Sequence, residues 1–335
     1  MIGEYSWFCP RSFLVDSRLQ RCSGPETLGK CFACETRDHP LKRRVLQRVL
    51  KTAAVVGALH WPRVRRLAPY RVWADLQESK AYLDLLRAKV ARFVIGDRQA
   101  QSFFLGHGVP EEKVAYIERC LPDDALQWRS RMPRTAGVSV GRPLTLAFVG
   151  RLGVEKGFHV LARAFEELPE NARAELWVIH VHDAIPEKAQ PMFRNQKRFR
   201  KHLDDGTIRL FRPSSKDELY SLMASADVGI VPSIAYESPS LAMMEFAAQG
   251  TPVIRSESAG MEHVIQDGVN GRTFPYGSPD ELRKILLEVI ERPQTLAEWR
   301  SRLPKIGDDS SFAARLVDVF GSVIEENKGS RREDA

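Results

Sequence analysis

From Leu144 to Ile290 the sequence alternates short apolar runs with stretches of helical length, and that alternation admits few folds. The run Leu144–Val149 reads as a buried strand, followed by a Gly-containing turn and a helix over Phe158–Leu168. Further strands are expected at Glu175–His180, Ile208–Phe211, Val228–Val231 and Pro252–Ile254. Helices are expected at Lys216–Ala224, Pro239–Gln249 and Pro279–Ile290, on the three-to-four spacing of their apolar residues. Strands separated by helices of this length pair in parallel, so the expected class is α/β with a doubly wound sheet. In an open parallel sheet a ligand sits outside the carboxyl ends of the strands.

The remainder of the 335 residues has a different texture. Residues 1–40 are rich in Cys, aromatic and turn residues, with little periodicity. Residues 41–135 read as helical over Lys42–Leu59 and Val72–Lys89, with a short strand at Arg92–Gly96 and a helix at Gln99–Leu105. Gln127–Val140, rich in Arg, Ser, Pro and Gly, reads as a linker, and Lys328–Ala335 as a disordered end. Two units follow from this, 1–135 and 140–325. A hydrophobic fraction of 43% with 28% charged residues excludes bulk disorder and collagen-like or coiled-coil chains.

The net charge of +7 is local. Between Lys42 and Arg71 stand nine basic residues and no acidic one, which leaves −2 for the rest of the chain. The opening Met1–Trp7 shows no basic leader before an apolar run, and the longest charge-free apolar run, Thr52–Trp61, is too short to span a bilayer. A cytoplasmic location is therefore expected, with the cysteines reduced or metal-bound.

Two motifs fall at expected strand ends. Gly150-Arg151-Leu152-Gly153-Val154-Glu155-Lys156-Gly157 follows the strand ending at Val149. Its glycines permit a tight loop, and Arg151 and Lys156 can both turn back over the strand to clamp a diphosphate, the first as a planar fork and the second as a point charge. An ordinary solvated loop fits the same residues. The second motif is Tyr236-Glu237-Ser238-Pro239-Ser240-Leu241-Ala242-Met243-Met244-Glu245. Ser238 is expected to cap the helix, with Pro239 its first residue and Gly250 its stop. Glu237 and Glu245 then lie roughly 10 Å apart along the axis, with the free first-turn amides between them as an anion site. A loop charge and a salt-bridge partner are the plainer reading. An acidic residue among Leu241, Ala242, Met244, Ala247 and Ala248 favours the functional one.

These residues, followed by Ala248-Gln249-Gly250-Thr251-Pro252-Val253 and by Gly260-Met261-Glu262 and Asp267-Gly268-Val269-Asn270-Gly271, closely resemble the retaining glycosyltransferases of family 4 over residues 140–275. The resemblance implies a GT-B fold of two Rossmann-like domains facing a cleft, with a nucleotide-sugar donor held mainly by the second. It implies that Arg151 and Lys156 neutralise the donor diphosphate beside Gly150. Glu237 is then expected to contact the transferred sugar, the amides of Ser238, Pro239's neighbour Ser240 and Leu241 to approach phosphate and sugar, and Glu245 to accept the ribose hydroxyls. No metal is expected in catalysis. His180 and His182 stand where the family often has a glycine-containing turn, and Gly260-Met261 replaces Gly-Gly; His180 reads as an ordinary strand-end residue.

Tyr5–Arg11, Cys22–Pro25 and Cys31–Cys34 resemble an insertion in the N-terminal domain of a branch of that family. Cys9, Cys22, Cys31 and Cys34 follow a Cys-x12-Cys-x8-Cys-x2-Cys spacing, which suits a structural zinc site or, alternatively, four loosely packed thiols. Relatives carry a strand and a Gly-rich loop before this segment, so the N-terminal domain is expected to be incomplete. Residues 42–71 suit an anionic membrane surface near a lipid-linked or carbohydrate acceptor, or a solvated helix; nucleic acid is the least favoured partner. The expected activity is transfer of a sugar from a nucleotide-diphosphate sugar with retention of anomeric configuration. The alternative is a non-catalytic, nucleotide-sugar-binding or zinc-stabilised partner subunit that needs a second chain.

Overall fold

The computed structural model describes residues 9, 14, 16–18, 20–37, 68–131, 142–180, 197–235, 240–257 and 262–333. The expected helix Lys42–Leu59, the basic stretch around it and most of the 132–140 linker lie outside these residues.

In the N-terminal part, α1 (Leu28–Glu35) is capped by Thr27, whose side chain accepts the Lys30 N–H. It packs on α2 (Ala68–Lys89) through Cys31, Phe32 and Leu76. Two short parallel strands follow, β1 (Phe93–Ile95) and β2 (Val114–Tyr116), joined through α3 (Arg98–Gly106). Asp97 caps α3 by accepting the Ala100 N–H. Helix α4 (Asp123–Arg131) occupies residues expected to begin a linker. Its buried Ala125 and Trp128, with Leu121 before it, enter a core that outweighs the turn-like composition of the following segment.

The second part is a six-stranded parallel sheet of β3 (Leu144–Val149), β4 (Ala174–Ile179), β5 (Ile208–Phe211), β6 (Val228–Val231), β7 (Val253–Ser256) and β8 (Gly271–Phe274). Spatial order is β5-β4-β3-β6-β7-β8, so the chain winds outward from β3 in one direction and then from β6 in the other. On one face Leu144, Leu146 and Phe148 meet α5 (Phe158–Glu166) together with α9 (Pro279–Glu291) and α10 (Gln294–Ser301). On the other, Ala147, Ile179 and Val253 meet α4, α7 (Lys216–Ser225) and α8 (Leu241–Ala248). Helix α6 (Lys197–Asp204) leads into β5, and α11 (Asp309–Glu333) closes the described chain. The expected disordered end at Lys328 is therefore helical to Glu333; the Ala313–Val319 stretch carries enough helix formers to propagate past the last apolar residue.

At the amino ends of the central strands Asp227, 1% exposed, fixes the spacing of β3 and β6. Its carboxylate accepts the Thr145 N–H at 2.8 Å and the Arg142 guanidinium at 2.8 Å. The two parts meet through the Glu118–His263 pair at 2.8 Å, and through Gln249 Nε2 donating to Ala125 O at 2.9 Å.

Candidate functional site: the crevice at the strand switch point

Between β3 and β6 the winding direction reverses, which opens a crevice at the carboxyl ends of these strands. The loop leaving β3 starts at Gly150, whose N–H donates to Ile179 O at 3.1 Å and whose φ is +149°. A single 3-10 turn, Val154–Lys156, delivers the chain to Gly157 and α5. Gly157 has φ +68°, and a Cβ there would stand 1.8 Å from Pro232 O, in the loop leaving β6. Only glycine allows this approach. Beside it Glu155 O accepts the N–H groups of Ile234 at 3.0 Å and Ala235 at 3.2 Å. Ser256 Oγ, at the end of β7, donates to Ser233 O at 2.5 Å. Three strand-end loops are thus sewn into one rim.

Arg151 is half exposed, and its guanidinium lies 3.7 Å from the Glu155 carboxylate. Lys156 is partly buried in the same turn. The two cations expected to clamp a diphosphate therefore sit on one rim, with Arg151 held by an acid that an incoming anion must compete against. His180, read from sequence as an unremarkable strand-end residue, is 5% exposed and places Nδ1 3.3 Å from Gly150 O. It braces the first residue of the loop. A lone His at a strand end carries no sequence signal for that contact, because the partner is a backbone carbonyl thirty residues earlier.

Helix α8 starts later than its sequence suggests. Its first residue is Leu241 and its N-cap is Ser240, which stays extended at φ −63°, ψ 110° and makes no side-chain cap bond. The expected cap at Ser238 and first turn at Pro239 are thereby displaced, and Glu237, Ser238 and Pro239 lie outside the described residues. Two serines flank the proline, and proline preorganises either start equally. The N–H groups of Met243 and Met244 return to Ser240 O at 3.0 and 3.2 Å. The buried Ser240, the exposed Leu241 and the half-buried Glu245 so share the first turns of one helix.

Burial pushes the Glu245 carboxyl from the usual 4.5 up to about 7, with Lys216 opposing the rise and Asp124 adding to it. Lys216 Nζ is 2.9 Å from Asp124, so the nearest cation is already shared. Tyr220 is pushed up to about 12 by burial and then by Glu245. A carboxylate held this way gains from any donor of hydroxyl hydrogen bonds. Cys9, Cys22, Cys31 and Cys34 lie apart from this crevice, around α1. Among the described residues no group of three or more His, Cys, Asp or Glu side chains is arranged to hold a metal ion.

The sheet order, the crevice at its switch point and a second parallel sheet in the N-terminal part define a GT-B type α/β protein. The chain belongs to the family "glycosyl transferases group 1", whose profile matches residues 134–305, about half of its length. It is 27% identical over 245 residues to D-inositol 3-phosphate glycosyltransferase 2 of Catenulispora acidiphila, a match that covers 70% of this chain and 56% of that protein. Among solved structures it is similar to sucrose-phosphate synthase from Thermosynechococcus elongatus, with a TM-score of 0.57 and 17% identity over 74% of this chain and 62% of that one. It is also similar to Anabaena HepE in complex with UDP, with a TM-score of 0.56 and 17% identity over 77% of this chain and 69% of that one. At such identities the structures share the fold. The chain spans about half the length of the curated relatives it matches.

Proposed function

We propose that the crevice binds a nucleotide-diphosphate sugar and that the protein transfers the sugar with retention of anomeric configuration. The observation that carries this reading is the rim itself: Gly157 pressed against Pro232 O, with Arg151 and Lys156 on the same turn and Glu245 in the helix that follows β6. Lys156 and Arg151 offset the charge that grows on the departing nucleoside diphosphate. Arg151 exchanges Glu155 for a phosphate oxygen. Glu245 accepts the ribose hydroxyls, and ionises fully as they bind. Glu237 contacts the transferred sugar next to the amides of Ser238, Ser240 and Leu241. Metal has no part in the transfer on this reading.

The acceptor side is assigned to the N-terminal part, residues 1–135, and the donor side to residues 140–325. The basic stretch 42–71 supports an acceptor at an anionic membrane surface on the cytoplasmic side, lipid-linked or carbohydrate. Among the described residues no helix is long and apolar enough to cross a membrane.

A second reading, a donor-binding subunit that needs another chain for turnover, is favoured by the partial coverage of the relatives. Incubation of the chain with a panel of nucleotide sugars separates the two. Release of nucleoside diphosphate, with the transferred or hydrolysed sugar keeping its anomeric configuration by NMR, supports the enzyme. Donor binding with no turnover supports the subunit, and an inverted product removes the retaining assignment.

A further inference from the structure

Four of the five cysteines stand within residues 9–34, and the donor crevice uses none of them. Cys31 and Cys34 are three apart on α1 and so share one face of it. The preceding chain folds back onto this helix. Cys9 packs with Leu14 in one buried cluster, and the Cys22 N–H donates to Leu14 O at 2.7 Å. The Ser17 N–H donates to Cys34 Sγ at 3.2 Å. Cys22 Sγ approaches Gly24 O at 3.7 Å, and Lys30 Nζ bonds that same carbonyl at 3.2 Å. All four are free thiols.

We propose that Cys9, Cys22, Cys31 and Cys34 together bind one zinc ion, which pins the segment before α1 onto that helix and, through Phe32 and Leu76, onto α2. Several features of the cluster fit a soft divalent cation. Cys9 and Cys31 are buried, so each sulfur that ionises there needs a positive charge close by. Burial drives the Cys31 thiol up to about 11, and Cys9, Cys22 and Cys34 each push it the same way. Thiols gathered and disfavoured as anions make poor nucleophiles but good ligands once a cation enters. The Ser17 N–H already points at one sulfur, and the Lys30 ammonium feels both Cys22 and Cys31. These groups offset part of the charge of four thiolates around a divalent ion. Four protons leave as the ion binds, so acid opposes binding. Since the thiols are not yet set as a ligand sphere, the ion draws them inward, and binding is coupled to ordering of residues 9–37.

Elemental analysis of the full chain, purified without chelator, tests this. About one zinc per chain is expected, in line with closed four-ligand sites. Cys31→Ser is expected to lose it, while Cys120→Ser keeps it, since Cys120 sits elsewhere, 3.5 Å from Asp309. Because Cys31→Ser also removes a core side chain, the wild-type chain loaded with cobalt(II) gives an independent reading. A thiolate-to-cobalt charge-transfer band that zinc abolishes supports the site. A folded wild-type chain that takes up no metal, a cobalt spectrum without the thiolate band, zinc retained by Cys31→Ser, or disulfides linking these four residues in the reduced-purified protein overturns it.

Discussion

The carbonyl of Glu155 accepts the Ile234 N–H at 3.0 Å, and this bond ties the loop after β3 to the loop after β6 across the point where the sheet reverses its winding. The contact depends on Gly157 two residues later, whose missing side chain lets Pro232 O approach. Gly157→Ala sets a Cβ into that carbonyl at a φ of +68°. The backbone conformation alone costs about 1–2 kcal/mol for an L residue. With the clash, a loss of upwards of about 2 kcal/mol is expected in urea unfolding, together with weakened nucleotide binding. Unchanged stability in this variant is incompatible with the described packing.

Glu245 links stability to pH with a definite sign. Its folded value near 7 lies above the usual 4.5, so the fold disfavours the ionised form. Its contribution is fully present below about pH 4.5, declines as the pH rises, and is lost above 7. At about 1.4 kcal/mol per unit this amounts to about 3 kcal/mol. Glu245→Gln should therefore gain stability over wild type at pH 8 and little at pH 5. Donor affinity in the wild type should rise between pH 6 and 8, because the ribose hydroxyls need the carboxylate, and Glu245→Gln should flatten that profile. Equal pH profiles for the two proteins contradict the role given to Glu245.

His180 acts on the donor through Gly150, whose carbonyl it contacts at 3.3 Å. His180→Ala removes a bond worth about 1 kcal/mol, which corresponds to roughly a fivefold rise in the nucleotide dissociation constant. Calorimetric titration checks this, and His180→Gln, able to donate to the same carbonyl, should recover part of the loss. No change in either variant makes His180 a packing residue only.

Asp227 lies at the opposite end of the same strands. Asp227→Ala leaves the Thr145 N–H without its acceptor and frees the Arg142 guanidinium. Loss of a buried, charge-assisted acceptor is expected to cost about 2–4 kcal/mol in thermal or denaturant unfolding. Nucleotide affinity of the remaining folded protein should be unchanged, since the crevice is at the other end of the sheet.

The sheet was legible because burial on both faces makes strands such as Leu144–Val149 and Val228–Val231 uninterrupted apolar runs, and these two match their expected bounds. The strand Gly271–Phe274 went unread, because Arg272 and Thr273 break the run and its place is set by pairing with Val253–Ser256. Helix α1 was hidden in turn-like composition; tertiary contacts of Cys31 and Phe32 with Leu76 hold it. In the crevice, the residues with charge or glycine signatures, Arg151, Lys156, Gly157 and Glu245, could be read in advance. His180, Ser233 and Ser256 could not, since each acts through or toward a backbone carbonyl whose position only the folded loops define.

The central claim is that the crevice at the β3–β6 switch point holds a nucleoside diphosphate. Isothermal titration of UDP, GDP and ADP into the wild-type chain, Lys156→Ala and Glu245→Ala measures it directly. One of the nucleotides is expected to bind at a single site, and each variant to lose tenfold or more in affinity, about 1.4 kcal/mol. A wild-type chain that binds none of them, or variants that bind as tightly as wild type, contradicts the account.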